Sequence, residues 1–297
     1  MTGRRQRWQE GIIRSGLLVC ALLTILTTVG IIWVLTTESA ALFRSVSPWE
    51  FYLGRRWAPL LEPRSYGILP LVCGTFLVAG GALALAVPIG VGTALFLSEY
   101  ASARFRGIAK PLLEILAGIP TVVYGFIALT FVTPYCLQPL FKGAEVFNAA
   151  SAAIVVGVMI LPTIASLCDD AFRAVPTSLR EAAFGLAATR LEVSTQVVLP
   201  ASLSGVGAAI LLALGRAIGE TMAVTLAAGM TPKLTLNPLE SIQTMTGYIV
   251  QVSLGDTPAG SIAYQSIFAV GFTLFLITLL INLAAHRVMK HFREAYE

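Results

Sequence analysis

An all-α polytopic membrane protein of about six transmembrane helices is the fold class that three observations predict. Hydrophobic residues fill 56% of the 297 positions and charged ones 12%, whereas a soluble domain carries about 25% charged residues. Uncharged runs at 15–37, 65–98, 115–141, 146–168 and 257–286 are each long enough to cross the hydrocarbon core. A sixth run, 201–231, qualifies if Arg216 and Glu220 are tolerated inside it.

The first span is expected over about 12–36, with Arg14 close enough to its end to snorkel to the interface. Arg4, Arg5 and Arg7 resemble the start of a signal peptide, but the apolar run that follows exceeds the roughly 7–15 residues of one. The loop after it contains "SPWEFYLGRRWAP", where Trp49, Phe51, Tyr52 and Trp57 beside charges read as an anchor among lipid headgroups. The next three spans carry helix breakers: Gly80, Gly81, Pro88, Gly90 and Gly92, then Gly118 and Pro120, then Pro162. Irregular backbone at membrane depth is tolerated where protein or a wet cavity receives the freed polar groups, so these breakers point to transport. The run 65–98 would be about 50 Å long as one helix and must tilt, bend or protrude. The chain thus divides into a tail, first span and loop (1–66), a transmembrane domain (67–290) and a short tail (291–297).

Thirteen Lys and Arg fall on the side of the N-terminus and six on the other, with Arg216 the twentieth. That asymmetry puts both termini in the cytoplasm. The net charge of +4 then reflects membrane topology, and no basic cluster suggests nucleic acid. Cys20, Cys73, Cys136 and Cys168 are scattered without metal-ligand or disulfide spacing, and His286 and His291 sit in a basic tail. No cofactor is implied. Asp169 and Asp170 are adjacent, so they point to different helix faces, and they read as a solvated helix end rather than a metal site of an intramembrane enzyme.

The stretch 173–200 is the most patterned polar segment. Ser178–Glu181 and Thr189–Glu192 both have the form of a capping box, with Pro176 before the first and Pro200 stopping the second. Two short helices follow, about 179–187 and 190–198, with Leu179, Ala182, Ala183 and Leu186 on one apolar face. About two turns of helix are not stable alone in water. The face therefore packs against the protein's own spans or against a partner, and periodicity leaves both open.

"LGRAIGETMAV" sets Arg216 16 residues after Pro200 and 16 before Pro232, about 24 Å from either in a continuous helix. A charge at that depth costs at least roughly 2.5–3.5 kcal/mol on insertion scales, so it faces a partner or a wet cavity. Glu220, at i+4, is the expected ion-pair partner. Either the pair locks this helix to a neighbour, or Arg216 lines a path and offers its planar guanidinium to an oxyanion, with Glu220 limiting how tightly the anion is held. Gly215 and Gly219 have the G-x-x-x-G spacing that admits a close helix, and Thr221 adds a hydroxyl.

"REAAFGLAATRLEVSTQVVLP" resembles the EAA loop of ABC-importer permeases. Glu181, Ala182, Ala183, Leu199 and Pro200 match that consensus in register; Ala187 stands where it has glycine and Val197 where it has isoleucine, and Gly185 is expected to supply the flexible backbone instead. "GRAIGETMAV" is similar to the phosphate-importer permeases of the PstC type, as are "VPIGVGTALFLSEYA" and "LLEILAGIPTVVYGF". The resemblance, over about 65–290, implies a MetI-like permease fold in a bacterial inner membrane. It implies a PstA-like second permease, two copies of a PstB-like ATPase docked on the loop, and an external PstS-like phosphate-binding protein. The absence of G-x-x-x-x-G-K-[ST] agrees with a motor on another polypeptide. Rivals are a permease for another oxyanion such as sulfate or molybdate, and a channel or carrier with no ATPase.

Overall fold

The computed structural model describes residues 2–258 and 260–291, so all but His291 of the 291–297 tail lies outside the described residues. The first helix, α1 (Thr2–Phe43), runs past the expected end of the first span. Its threonines return their hydroxyls to carbonyls one turn back, as Thr24 does to Cys20 and Thr28 to Thr24, which satisfies them without water. Its side chains are exposed along the apolar window, the signature of a surface meant for lipid.

After α1 come α2 (Pro48–Leu53) and a two-stranded antiparallel hairpin, β1 (Trp57–Ala58) with β2 (Ser65–Tyr66), Trp57 opposite Tyr66. Here the expected headgroup anchor is corrected. Trp49 and Tyr52 are exposed, but Phe51 and Trp57 are buried at 0% and 2% exposure in a small aromatic core. Trp57 meets Tyr248 edge to face at 4.8 Å and Phe51 at 6.0 Å, contacts worth about 0.5–1.5 kcal/mol each beyond their burial. Large rings gain more from each other than from an interface that wets one edge, so the hairpin is fixed to the protein body.

The helix α3 (Leu69–Leu95) continues through a π-helical segment, Phe96–Tyr100, and none of its expected breakers interrupts it. The glycines serve packing instead. A Cβ on Gly81 would lie 2.9 Å from Ala153 Cβ, and one on Gly90 2.8 Å from Ile164 Cγ2. Their bareness is what lets α3 lie close along a later helix. The helix α4 (Ala103–Ala117) is capped by Ser102 and ends at the Gly118–Pro120 break, which does interrupt the chain as expected. Next, α5 (Thr121–Ile127) runs through a π-helical stretch, Ala128–Leu137, into α6 (Gln138–Leu140), and these form one span.

The central helix is α7 (Ala149–Arg173), capped by Asn148 and unbroken at Pro162. Beyond it lie α8 (Thr177–Gly185), then α9 (Arg190–Glu192), a π-helical segment Val193–Val198 and α10 (Leu199–Ala201). These are followed by α11 (Leu203–Gly219), α12 (Met222–Ala228), α13 (Met245–Leu254) and α14 (Ile262–His291). The path through α9 and α10 meets α11 at 71°, and the turn falls at Ser202 rather than at Pro200. Among the described residues, five helices are long and apolar enough to span a membrane, and the bent pair makes a sixth. The sixth stops earlier in the chain than the 201–231 run implied. It ends at Gly219.

The larger core is built from α3, α5, α7, α11 and α12, with Ala82, Val156, Ile160, Ile164 and Ala213 fully buried. The smaller core ties the hairpin to α13 and α14 through Tyr248, Met245 and Val270. The hairpin therefore marks one end of the bundle and the α8–α10 loop the other.

Candidate functional site: a broken helix and a loop

Arg216 sits in the last turn of α11 and Glu220 is the residue where that helix stops, with φ −64° and ψ 133°. The two are consequently not on one helical face, and the expected ion pair is absent from the ion pairs among the described residues. Arg216, half-buried, donates from Nη1 to Thr163 Oγ1 of α7 at 3.0 Å. Glu220, 8% exposed, turns the other way: its Oε1 accepts from the Ala223 amide at 3.1 Å, which caps α12.

A break at membrane depth leaves amides and carbonyls without helical partners, and each must be satisfied inside the protein. Glu220 supplies one acceptor. Thr246 Oγ1 donates to the Glu220 carbonyl at 2.8 Å, and Thr221 Oγ1 donates to the Gly219 carbonyl at 3.0 Å. Thr225 returns its hydroxyl to the Thr221 carbonyl at 2.7 Å, and Thr244 and Thr246 share a hydrogen bond at 3.1 Å. The carboxylate therefore serves the backbone, and among the described residues the arginine has no anionic partner.

Gly215 and Gly219 do not admit a helix of this chain. Both are exposed, and a Cβ on either would meet nothing within 4 Å. Leu212 and Met222 are exposed beside them, so the surface next to Arg216 is open. Thr163 and Thr246 are the members of the site that sequence reasoning missed. A lone threonine in an apolar span carries no signature. The Gly-Glu-Thr stretch did carry one, a glycine ending one helix and capping residues starting the next.

In the loop, the second capping box forms in full: Glu192 Oε2 accepts from the Thr189 amide at 2.7 Å, and Thr189 Oγ1 from the Glu192 amide at 3.3 Å. The Thr189 amide and the Thr189 hydroxyl, which also donates to Oε2 at 2.8 Å, hold the Glu192 carboxyl below its ordinary range. The first box does not form, because α8 starts at Thr177, two residues earlier than a Ser178 cap requires, after Pro176 and with no side-chain cap. The apolar face is split: Leu179 and Ala183 pack on the larger core, while Ala182 and Leu186, the latter 86% exposed, face outward. Glu181 and Pro200 are exposed, and Leu199 packs on the core.

Gly185 is the last residue of α8 and is not the flexible point. Ala187 is, with φ 61°. That left-handed conformation costs a non-glycine residue roughly 1–2 kcal/mol, which explains a glycine preference at this position. Asp169 departs from expectation as well: it is 1% exposed, not solvated, with Lys110 Nζ 3.7 Å away. Its exposed neighbour Asp170 takes the closer bond from Lys110, at 2.8 Å, and that bond raises the lysine's pKa.

Residues 86–296, which hold both the loop and the broken helix, match the family described as binding-protein-dependent transport system inner membrane component. The chain belongs to that family. The permease is 36% identical over 292 residues to the probable ABC transporter permease protein YqgH of Bacillus subtilis, across 95% of this chain and 94% of that protein. It is 34% identical to the phosphate transport system permease protein PstC of Mesorhizobium japonicum, across 81% and 77%. For PstC of Haemophilus influenzae the identity is 32%, across 93% and 91%.

Among solved structures, the permease aligns with a bacterial alginate ABC transporter in complex with an alginate pentasaccharide-bound periplasmic protein. The TM-score is 0.66 at 18% identity, across 96% of this chain and 98% of that one. The inward-facing MetNI methionine ABC transporter aligns with TM-score 0.57 at 18% identity, across 77% and 95%. The permease is thus an all-α, multi-pass membrane protein with the MetI-like ABC-transporter fold.

Proposed function

We propose that the permease imports inorganic phosphate as half of a two-subunit path, driven by a separate ATPase. The observation that carries this is Arg216. It is permanently charged and half-buried about 20 Å along α11, and among the described residues no carboxylate forms an ion pair with it. A desolvated cation without a partner is costly unless a mobile anion visits it. Of its five N–H groups, one is engaged with Thr163 among the described residues, which leaves a fork shaped for an oxyanion.

The open surface of Leu212, Gly215, Gly219 and Met222 beside it suits a PstA-like second permease that would close the other half of the path. Thr221, at the break, would offer its hydroxyl to the same anion only on letting go of the Gly219 carbonyl to which it donates. The exposed tip of the loop, from Phe184 through Leu186 to Leu191, suits a cleft on a PstB-like ATPase dimer. This puts the loop end and both termini in the cytoplasm and the hairpin end toward a PstS-like binding protein, the orientation that the Lys and Arg distribution favours. The PstC relatives support phosphate over another oxyanion.

The test is reconstitution of the purified complex in vesicles. Phosphate-loaded binding protein should stimulate ATP hydrolysis and phosphate uptake, sulfate and molybdate should not compete, and Arg216→Gln should abolish uptake while the ATPase still co-purifies. Uptake that survives Arg216→Gln would remove the arginine from the path; uptake of sulfate in place of phosphate would reassign the substrate.

A further inference from the structure

We infer that Glu99 and Arg180 are positioning residues that carry the loop's displacement into the membrane helices, through a bidentate tie between α8 and the end of α3. This rests on the ATPase-driven reading above. Arg180 lies on α8 beside the exposed Glu181 and Ala182, yet its guanidinium turns into the protein. Nη2 donates to Glu99 Oε1 at 3.0 Å and to the Phe172 carbonyl at 2.7 Å, Nη1 to the Val175 carbonyl at 2.5 Å, and Nε to Glu99 Oε2 at 3.4 Å. All three nitrogens are engaged. The side chains of Arg180 and Glu99 are 16% and 11% exposed, so the pair is largely shielded from solvent.

Two further cations stiffen the surroundings. Arg106 of α4 donates to the Leu97 and Ser98 carbonyls of the π-helical segment that carries Glu99. Lys110 of α4 reaches Asp170 at 2.8 Å and Asp169 at 3.7 Å on α7. The ends of α3, α4 and α7 are therefore cross-linked by polar ties. Among the described residues, Arg180–Glu99 is the ion pair that joins the loop helices to this block.

The remaining contacts of α8 with the body, through Leu179 and Ala183, are apolar. Apolar contacts allow sliding, whereas a fork-to-carboxylate pair fixes both distance and angle. Displacement of the tip around Leu186 would thus pull on Glu99 rather than slip past it. From Glu99 the movement passes along α3 to α7, packed on it through Gly81 and Gly90, and α7 holds Thr163 against Arg216. A tie of this kind matters to how much transport each ATP drives, not to whether the anion binds.

The experiment uses the full complex in vesicles with phosphate-loaded binding protein and measures phosphate moved per ATP hydrolysed. Glu99→Gln should assemble normally and keep basal ATP hydrolysis, but lower that ratio on the order of tenfold, since one partner of a shielded pair is left uncompensated. Arg180→Lys, which keeps charge and loses the fork, should retain more of the ratio than Arg180→Met. If Glu99→Gln fails to assemble, Glu99→Asp, with the carboxylate drawn back by one methylene, carries the same test. A tie that merely holds the fold would lower uptake and ATP hydrolysis together at constant ratio, and that result overturns the inference, as does an unchanged ratio at full activity. Should the unmutated complex show no stimulation of ATP hydrolysis, the ATPase-driven reading itself fails, a distinguishable outcome.

Discussion

Arg216 is tied to Thr163, from Nη1 to Oγ1 at 3.0 Å, and this bond joins the last turn of α11 to α7. A hydrogen bond from a charged donor is worth about 1.5–3 kcal/mol, and here it aims the guanidinium. Thr163→Val keeps the shape and removes the acceptor. It should lower phosphate uptake at limiting substrate about tenfold, mainly by raising KM, while Thr163→Ser stays close to normal. Uptake measured against phosphate concentration separates the two; equal KM for Val and Ser would remove Thr163 from the site.

Glu220 acts on a different group. Its carboxylate caps α12 through the Ala223 amide, a role that glutamine can fill and alanine cannot. Glu220→Ala should lose about 1 kcal/mol of stability, in line with other lost caps, and Glu220→Gln less than half of that. Thermal unfolding of the purified protein gives the ordering. If the two variants are equally destabilised, the charge rather than the cap is what the site needs.

How much of this was legible in the sequence follows from where each constraint resides. The place of Arg216 inside a long run with no charge but Glu220 was, because it depends only on counting along the chain. The break at Glu220 was not read, because residues 201–231 carry no charge besides the two and the hydroxyl that satisfies the break, on Thr246, comes from 26 positions further on. The breakers in α3 misled for a related reason: Gly81 and Gly90 are small because of Ala153 and Ile164, partners invisible in α3 itself. Local chemistry was readable where it was complete in itself, as in the Thr189–Glu192 box, and failed at Ser178, where the preceding proline starts the helix earlier.

Ala187 holds a left-handed conformation at φ 61°, and Gly185, two residues earlier, ends a helix with nothing within 4 Å of an added Cβ. Ala187→Gly relieves roughly 1–2 kcal/mol of strain, less about 0.5–1 kcal/mol for the added freedom of the unfolded chain. A net gain of up to about 1.5 kcal/mol should appear in thermal unfolding. Gly185→Ala should be neutral to mildly stabilising, since alanine favours helix. A large loss from Gly185→Ala would return the flexible point to that residue.

The capping box should also respond to pH. The Glu192 carboxyl is lowered by the Thr189 amide and hydroxyl, so the folded form holds its proton less tightly than the unfolded one. Its contribution is therefore fully present above the ordinary glutamate range and disappears as pH falls through the lowered folded value. The protection of the Thr189 amide against exchange, relative to the intrinsic rate, should hold at neutral pH and fall in acid. The acid effect should vanish in Glu192→Gln.

Ala182 and Ala183 are neighbours with opposite surroundings, and this separates docking from folding. Ala182 faces outward on α8, and Ala183 packs on the larger core. A tryptophan at Ala182 occupies space that the proposed ATPase would fill, so Ala182→Trp should fold normally, fail to co-purify with the ATPase and lose uptake. A tryptophan at Ala183 must displace the protein's own side chains, and overpacking of that kind costs typically about 1–3 kcal/mol. Ala183→Trp should therefore lower the melting temperature of the isolated permease as well as uncouple it. Normal ATPase binding by Ala182→Trp would move the docking surface off this face of α8, whatever the Ala183 variant does.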